Sequence, residues 1–182
     1  MNTLLITTKD GAFAASYSER GLHHLDFPKG TSRRATGTST SVTPKIRGWH
    51  RLTETAVRAV LAGRPIPALP PLDLSAGTDF QRRVWAALRG IPAGETKSYG
   101  EIARKLGANG AARAVGGACG ANPIPLLIPC HRVLAASRKL GGFSGGLNWK
   151  VKLLEREGAT FTRRGRPAAG LNTHRPPTVC RI

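Results

Sequence analysis

Cys130 and His131 stand side by side in "NPIPLLIPCHRVL", Asn122 to Leu134, between an apolar run and Arg132. That adjacency suits three chemistries: a nucleophile with a base, a metal ligand, or a buried thiol that happens to precede a histidine. Neighbours in an extended segment point to opposite faces, so His131 reaches the Cys130 sulfur only through a turn or a water that relays the proton. A carboxylate behind the imidazole would fix its tautomer and raise its basicity. Glu157 is the candidate. Trp149, Leu153 and Glu157 recur at i, i+4 and i+8 in "NWKVKLLEREG", on one helix face. Glu157 then sits at the inner end of an apolar face, where a carboxylate needs a partner, whereas Glu155 is solvated. The metal reading is weak. Cys119, Cys130 and Cys180 form no C-x-x-C pair, and His23, His24 and His50 have no cysteine near them. An odd cysteine count without an export signal also argues against a disulfide framework. A thiol after "PLLIP" fits a small buried hydrophobe as well. The local stretch leaves nucleophile and structural thiol equally open.

The elements that must position these residues come from the second half of the chain. Thr78 with Gln81 is a capping-box signature for a helix carrying Phe80, Val84, Trp85 and Leu88, which stops at Gly90-Ile91-Pro92. Ser98 with Glu101 opens a second helix, "YGEIARKLG". A short turn, "ANG", leads to "AARAVGGACGAN". Helix, Gly-containing turn, helix is the helix-turn-helix pattern. Its second helix is unusual, because it offers alanine, glycine and a single Arg113 where a sequence reader presents Arg, Asn or Gln. Two readings stand: a tightly packed core helix, or close backbone approach to DNA without reading sequence.

The first half reads as short strands. "LLITT", the hairpin signal Asp10-Gly11, "AFAASYS", a turn at "ERG" and "LHHLDF" make a small antiparallel sheet. Residues 28–48 are polar, basic and acid-free and read as a flexible insertion. A helix is expected over about 49–62, and the proline-rich "GRPIPALPPLDLSAG" as an extended linker. This divides the chain into an α/β domain over 1–74, a mostly α domain over 75–158 and a basic disordered tail over 159–182, where Cys180 is incidental.

The 182 residues are 40% hydrophobic, enough for one good core or two small packed domains. A formal net charge of +18, from 28 Lys+Arg against 10 Asp+Glu, points to a polyanionic partner, nucleic acid first. The apolar runs are too short to span a bilayer, and "MNTLLITTKDG" lacks the pattern of a signal peptide. The expected setting is reducing and DNA-containing: the cytoplasm, or the nucleus in a eukaryote.

Taken together, "GTDFQRRVWAALRGIPAGETKSYGEIA", "RAVGGACGANP", "IPCHRV", "GGFSGG" and "KVKLLEREG" resemble, in order and spacing, the O6-alkylguanine-DNA alkyltransferases (methylated-DNA–protein-cysteine methyltransferases). The resemblance covers about Gly77 to Gly158. The first half fits more loosely, as a ribonuclease-H-like α/β domain. The resemblance implies that Cys130 accepts the alkyl group and that His131 and Glu157 relay its proton through a water. Tyr99 would face the flipped guanine and help protonate N3. Arg113 would enter the base stack from the minor groove, with Ala112, Ala114 and Gly116 letting the helix settle on the duplex. Asn122 would bond the turn between that helix and the thiol. The Cys130 and Val133 carbonyls would accept from the guanine amino group, the Ser144 N–H would donate to O6, and Phe143 and Arg132 would complete the pocket. The implied partner is double-stranded DNA bound by a monomer without regard to sequence, with no cofactor.

The chemistry fits these roles. The target oxygen faces into the stack, so the nucleotide must be extruded. The thiolate is the competent nucleophile, and a pKa lowered near His131 would favour it. The product is a thioether, so each molecule would act once. The resemblance extends the expected lesions to O4-alkylthymine. Two positions depart from the common pattern: Phe143 stands where many members have tyrosine, and Gly120 where a basic residue is frequent. Two other functions remain in view. A non-catalytic alkylated-DNA recognition module needs the helix-turn-helix and Arg113 but no reactive thiol. A cysteine hydrolase gives the Ala/Gly helix and the charge no role.

Overall fold

A computed structural model describes residues 2–28 and 42–160. Most of the expected insertion (29–41) and the tail from 161, with Cys180, lie outside the described residues. The strands are β1 (Asn2–Thr8), β2 (Gly11–Tyr17) and β3 (Leu22–Asp26), antiparallel in the order β1-β2-β3. Alternation decides which face is covered: Phe13, Ala15 and Tyr17 of β2 are buried. A register shift between Ser16 and Tyr17 lets Tyr17 pair with Leu22.

Helix α1 spans Pro44–Leu61, so the chain turns helical five residues before the expected start, inside the segment read as insertion. The cause is local. Thr43 accepts from the Ile46 N–H as N-cap, and Pro44 stands in the first turn, where its missing N–H costs nothing. Composition hid this cap among other polar residues.

The proline-rich stretch is extended, as expected, but it does more than connect. The Leu22 N–H donates to Pro71 O at 2.8 Å and the Asp73 N–H to Leu22 O at 2.8 Å, so it closes the free edge of β3. Buried Asp73 accepts from Ser18 Oγ at 2.5 Å and Ser75 Oγ at 2.6 Å.

Both expected capping boxes form. They open α2 (Asp79–Arg89) at Thr78/Gln81 and α3 (Tyr99–Lys105) at Ser98/Glu101. Between them Lys97–Ser98 (β4) pairs in parallel with Val133–Leu134 (β5), which fixes the start of α3 beside the Cys130 turn. Helix α4 (Ala112–Gly120) completes the helix-turn-helix, and Trp85 Nε1 of α2 donates to Ala118 O at 2.8 Å to hold it. Helix α5 spans Leu147–Arg156. One apolar core runs through both halves. The Leu25 N–H donates to Pro123 O at 2.9 Å, tying the sheet to the segment that carries the thiol. Among the described residues no helix is long and apolar enough to cross a membrane.

Candidate active site

The residues from Cys130 to Arg132 form one turn of 3₁₀ helix, not an extended strand. The alternation argument against direct Cys–His approach therefore does not apply; the chain turns at the thiol. Just before it, the segment 124–128 folds back, with the Ile128 N–H donating to Ile124 O at 2.9 Å and Leu126 at φ 78°. Asn122 clamps this fold. Its Oδ1 accepts from the Ile124 N–H at 3.1 Å, and its Nδ2 donates to Ile128 O at 2.9 Å and reaches Cys130 Sγ at 3.1 Å. Asn122 thus joins the end of α4 to the thiol through one buried amide.

Behind the thiol, His131 is fully buried, and its Nε2 lies 3.1 Å from Glu157 Oε1. Glu157 is the C-cap of α5, one residue past the helix proper, with its side chain 3% exposed. Burial works against its charge. The His131 and Arg132 hydrogen bonds and charges outweigh burial and hold the carboxyl down at about 2. An ionised carboxylate has no proton to give, so Nε2 carries the hydrogen and Nδ1 is left as acceptor. Nδ1 is buried and has no hydrogen-bond partner among the described residues. Burial also lowers the His131 pKa, with Glu157 pulling the other way, so the ring is held neutral as a base.

Arg132 occupies the other side of Glu157. Its Nε donates to both carboxylate oxygens, at 3.1 and 3.0 Å, its Nη2 to Oε1 at 2.7 Å, and its Nη1 to Ile91 O at 2.5 Å. It is a wall of the relay, not of the cleft.

Burial pushes the Cys130 thiol above its ordinary value; the Asn122 hydrogen bond and the Lys150 charge only partly oppose it. This reverses the expectation of a pKa lowered beside His131. A neutral imidazole offers no positive charge, and desolvation penalises a thiolate.

A cleft of about 620 Å³ opens above the thiol. Of the expected site residues, Tyr99, Ala112, Arg113, Gly116, Cys130, Phe143 and Ser144 line it. Tyr99 is half-buried, and burial raises its phenol. Ala114 is exposed on the same helix, outside the lining, and Val133 is fully buried beneath the cleft. Gly117 and Gly120 have open space where a Cβ would stand, which leaves the backbone of α4 bare at these two positions beside Arg113. Phe143 meets His131 edge-on at 6.3 Å and Phe27 at 5.5 Å.

Two residues were not foreseen. Cys119 is a second buried free thiol in the cleft wall, pushed up to about 12 by burial. Lys150 is fully buried. Its Nζ donates to Val133 O at 2.7 Å, to Leu140 O, and to Gly142 O at 3.4 Å. One lone pair of the Val133 carbonyl is therefore already engaged. Burial lowers the Lys150 pKa to about 8, against the pull of the two thiols. A signal existed for it: Lys150, Leu153, Leu154 and Glu157 sit at i, i+3, i+4 and i+7, one continuous helix face. Among the described residues no group of three or more His, Cys, Asp or Glu could hold a metal ion.

A buried thiol at the floor of a cleft, backed by a buried His–Glu pair and roofed by a helix-turn-helix, defines a helix-turn-helix fold built around a cysteine. Comparison with known proteins agrees. Residues 79–159 match the model of the 6-O-methylguanine DNA methyltransferase DNA-binding domain. The methylated-DNA–protein-cysteine methyltransferase of Mycobacterium bovis is 65% identical over 86 residues, 47% of this chain and 52% of that protein. The matched stretch thus spans about half the length of the curated relatives. Among solved structures, Mycobacterium tuberculosis OGT in complex with DNA superimposes with a TM-score of 0.71 at 40% identity, covering 92% of this chain and 96% of that one. The O6-methylguanine-DNA methyltransferase of Pyrococcus kodakaraensis gives 0.59 at 26% identity, covering 86% and 98%. The chain belongs to the methylated-DNA–protein-cysteine methyltransferase family.

Proposed function

We propose that the protein repairs DNA by moving the alkyl group of O6-alkylguanine, and of O4-alkylthymine, onto Cys130. The observation that carries this reading is the buried Cys130 at the floor of the cleft with the His131–Glu157 pair behind it. DNA lies against α4, whose Ala/Gly face brings the backbone close in the minor groove without reading sequence. Arg113 fills the gap left by the extruded nucleotide. Cys130 Sγ attacks the alkyl carbon, forming a C–S bond as the C–O6 bond breaks. The bonding pair goes to the purine, and Tyr99 helps deliver a proton at N3. The thiol proton passes through a water to Nδ1 of His131, whose charge Glu157 balances. Because burial keeps the resting thiol protonated, ionisation accompanies attack and the reagent stays inert until a base fills the cleft. The thioether is not hydrolysed, so one molecule repairs one lesion.

Phosphate contacts from a chain of net charge +18 supply affinity that falls with salt. The work is done by a monomer in the compartment that holds the DNA, the cytoplasm or a eukaryotic nucleus. Incubation with a duplex carrying O6-methylguanine should add one methyl mass to the Cys130 peptide and leave guanine in the DNA. Lesion binding without that mass gain would favour a recognition module and refute transfer.

A further inference from the structure

Every residue lining the cleft lies between Tyr99 and Ser144, so the amino-terminal sheet contributes no wall to it. The sheet nevertheless grips the element that carries Glu157. Asp10 stands in the turn between β1 and β2, a turn fixed by Thr8 Oγ1, which donates to Gly11 O at 2.8 Å and accepts from the Asp10 N–H at 3.1 Å. The Asp10 carboxylate accepts from Nη1 and Nη2 of Arg156, each at 2.9 Å, and pairs with Lys152 Nζ at 2.7 Å. Its side chain is 7% exposed, which separates this fork from a loose surface pair. The cations hold Asp10 well down, at about 2, so it is ionised throughout the working range.

A second amino-terminal contact falls on the same residue. Gly63, just past α1, has φ +65°, and a Cβ there would stand 2.2 Å from Arg156 O. Arg156 is thus held by its side chain, and the bare Gly63 backbone packs closely against its carbonyl. The next residue is Glu157, where α5 ends and whose carboxylate meets His131 and Arg132. Successive helical side chains are set about 100° apart, so Arg156 faces the sheet while Glu157 faces His131. Any rotation of one carries the other.

We propose that Asp10 is a positioning residue for alkyl transfer: it clamps Arg156 and Lys152 so that the end of α5 presents Glu157 to His131. The inference rests on the transfer function proposed above. It gives the amino-terminal sheet a part in the chemistry without a residue in the cleft.

The test uses the full chain and four variants: Asp10→Asn, Asp10→Glu, Glu157→Gln and Asp10→Asn with Glu157→Gln. Single-turnover methyl transfer is measured at saturating O6-methylguanine duplex and normalised to the final extent, so that only folded molecules count. Lesion affinity is measured in a Cys130→Ser background. Asp10→Asn should slow the normalised rate about tenfold, the scale on which small misplacements act, while lesion affinity stays within about twofold of the parent. Asp10→Glu should recover most of the rate. In the Glu157→Gln background Asp10→Asn should cost nothing further, because it acts through Glu157. The charged groups facing His131 are Glu157, Arg132 and Lys150, with the Cys130 thiol beside them. Glu157 raises the imidazole's pKa, so displacing it should move the acid limb of the rate profile to lower pH, in the same direction expected of Glu157→Gln.

A merely structural Asp10 would change unfolding temperature and leave the normalised rate, the acid limb and the additivity untouched. An unchanged normalised rate, or losses that multiply in the double variant, overturns the proposal. If the parent transfers no methyl group, the transfer function itself fails. The clamp is then judged by NMR of the His131 ring in the free protein. Asp10→Asn must shift those resonances toward their Glu157→Gln positions, and unshifted resonances overturn it.

Discussion

Replacing Asn122 with alanine probes the join between the DNA-facing helix and the thiol. The Ile124 N–H has Asn122 Oδ1 as its partner at 3.1 Å, in a residue with no exposure. Losing it strands a buried donor, worth about 1–3 kcal/mol. Ile128 O loses Nδ2 but keeps the Cys130 N–H at 2.8 Å, so that loss is nearer about 1 kcal/mol. The clamp also restrains Leu126 at φ 78°, an uncommon backbone state for a branched side chain. Asn122→Ala should therefore lose about 2–4 kcal/mol. For a chain of this size that is roughly 4–16 °C in unfolding temperature. Asn122→Asp separates the two ends of the amide. It keeps the acceptor for Ile124 but turns an oxygen toward Ile128 O and Cys130 Sγ, which raises the new carboxyl's pKa in the folded state. A carboxyl raised on folding is destabilising above its folded value, and the penalty disappears as pH falls below its unfolded value near about 4. Urea unfolding from pH 7 to pH 4 should show Asn122→Asp recovering relative to Asn122→Ala. Asn122→Ala within about 0.5 kcal/mol of the parent would refute the satisfied-donor argument. A constant gap between the two variants across that range would refute the donor role of Nδ2.

Three further outcomes follow from the same geometry. Glu157→Gln should cost about 3–5 kcal/mol at neutral pH by leaving Arg132 uncompensated, and adding Arg132→Met should cost less than the sum of the singles, as read by a double-mutant unfolding cycle. In the parent, the Glu157 carboxyl is held at about 2 from an ordinary 4.5, so its contribution is complete above 4.5 and lost as pH falls toward 2, steepening acid unfolding there. Lys150→Met should cost about 2–4 kcal/mol, because Val133, Leu140 and Gly142 lose a shared donor, and should loosen the cleft wall, seen as faster amide exchange over 140–146. Arg113→Ala, at an exposed position, should leave stability within about 0.5 kcal/mol of the parent while slowing transfer from duplex DNA more than transfer from the free O6-methylguanine base.

Much of this was legible in the order of residues. The two capping boxes, the Asp10-Gly11 hairpin and the helix-turn-helix are local signals, each decided by side chains within a few positions of the backbone groups they satisfy. Helix periodicity brought Glu157 inward from far along the chain. Lys150 was legible on the same face but was passed over, because a lysine reads as solvated until carbonyls are found around it. The start of α1 was missed because Thr43-Pro44 is a two-residue signal inside a polar run.

The sequence by itself determined the thiol, the imidazole, the carboxylate and the small-residue helix, because residue type and helical spacing fix which groups exist and which share a face. Tertiary structure alone decided the rest. It turned the chain at Cys130 and desolvated the thiol, so that its pKa rises where adjacency to histidine had suggested a fall. It made Arg132 the partner of Glu157, and it joined Asp10 to Arg156 across 146 residues. Burial and charge pairing depend on everything that surrounds a group in space, and no local stretch contains that information.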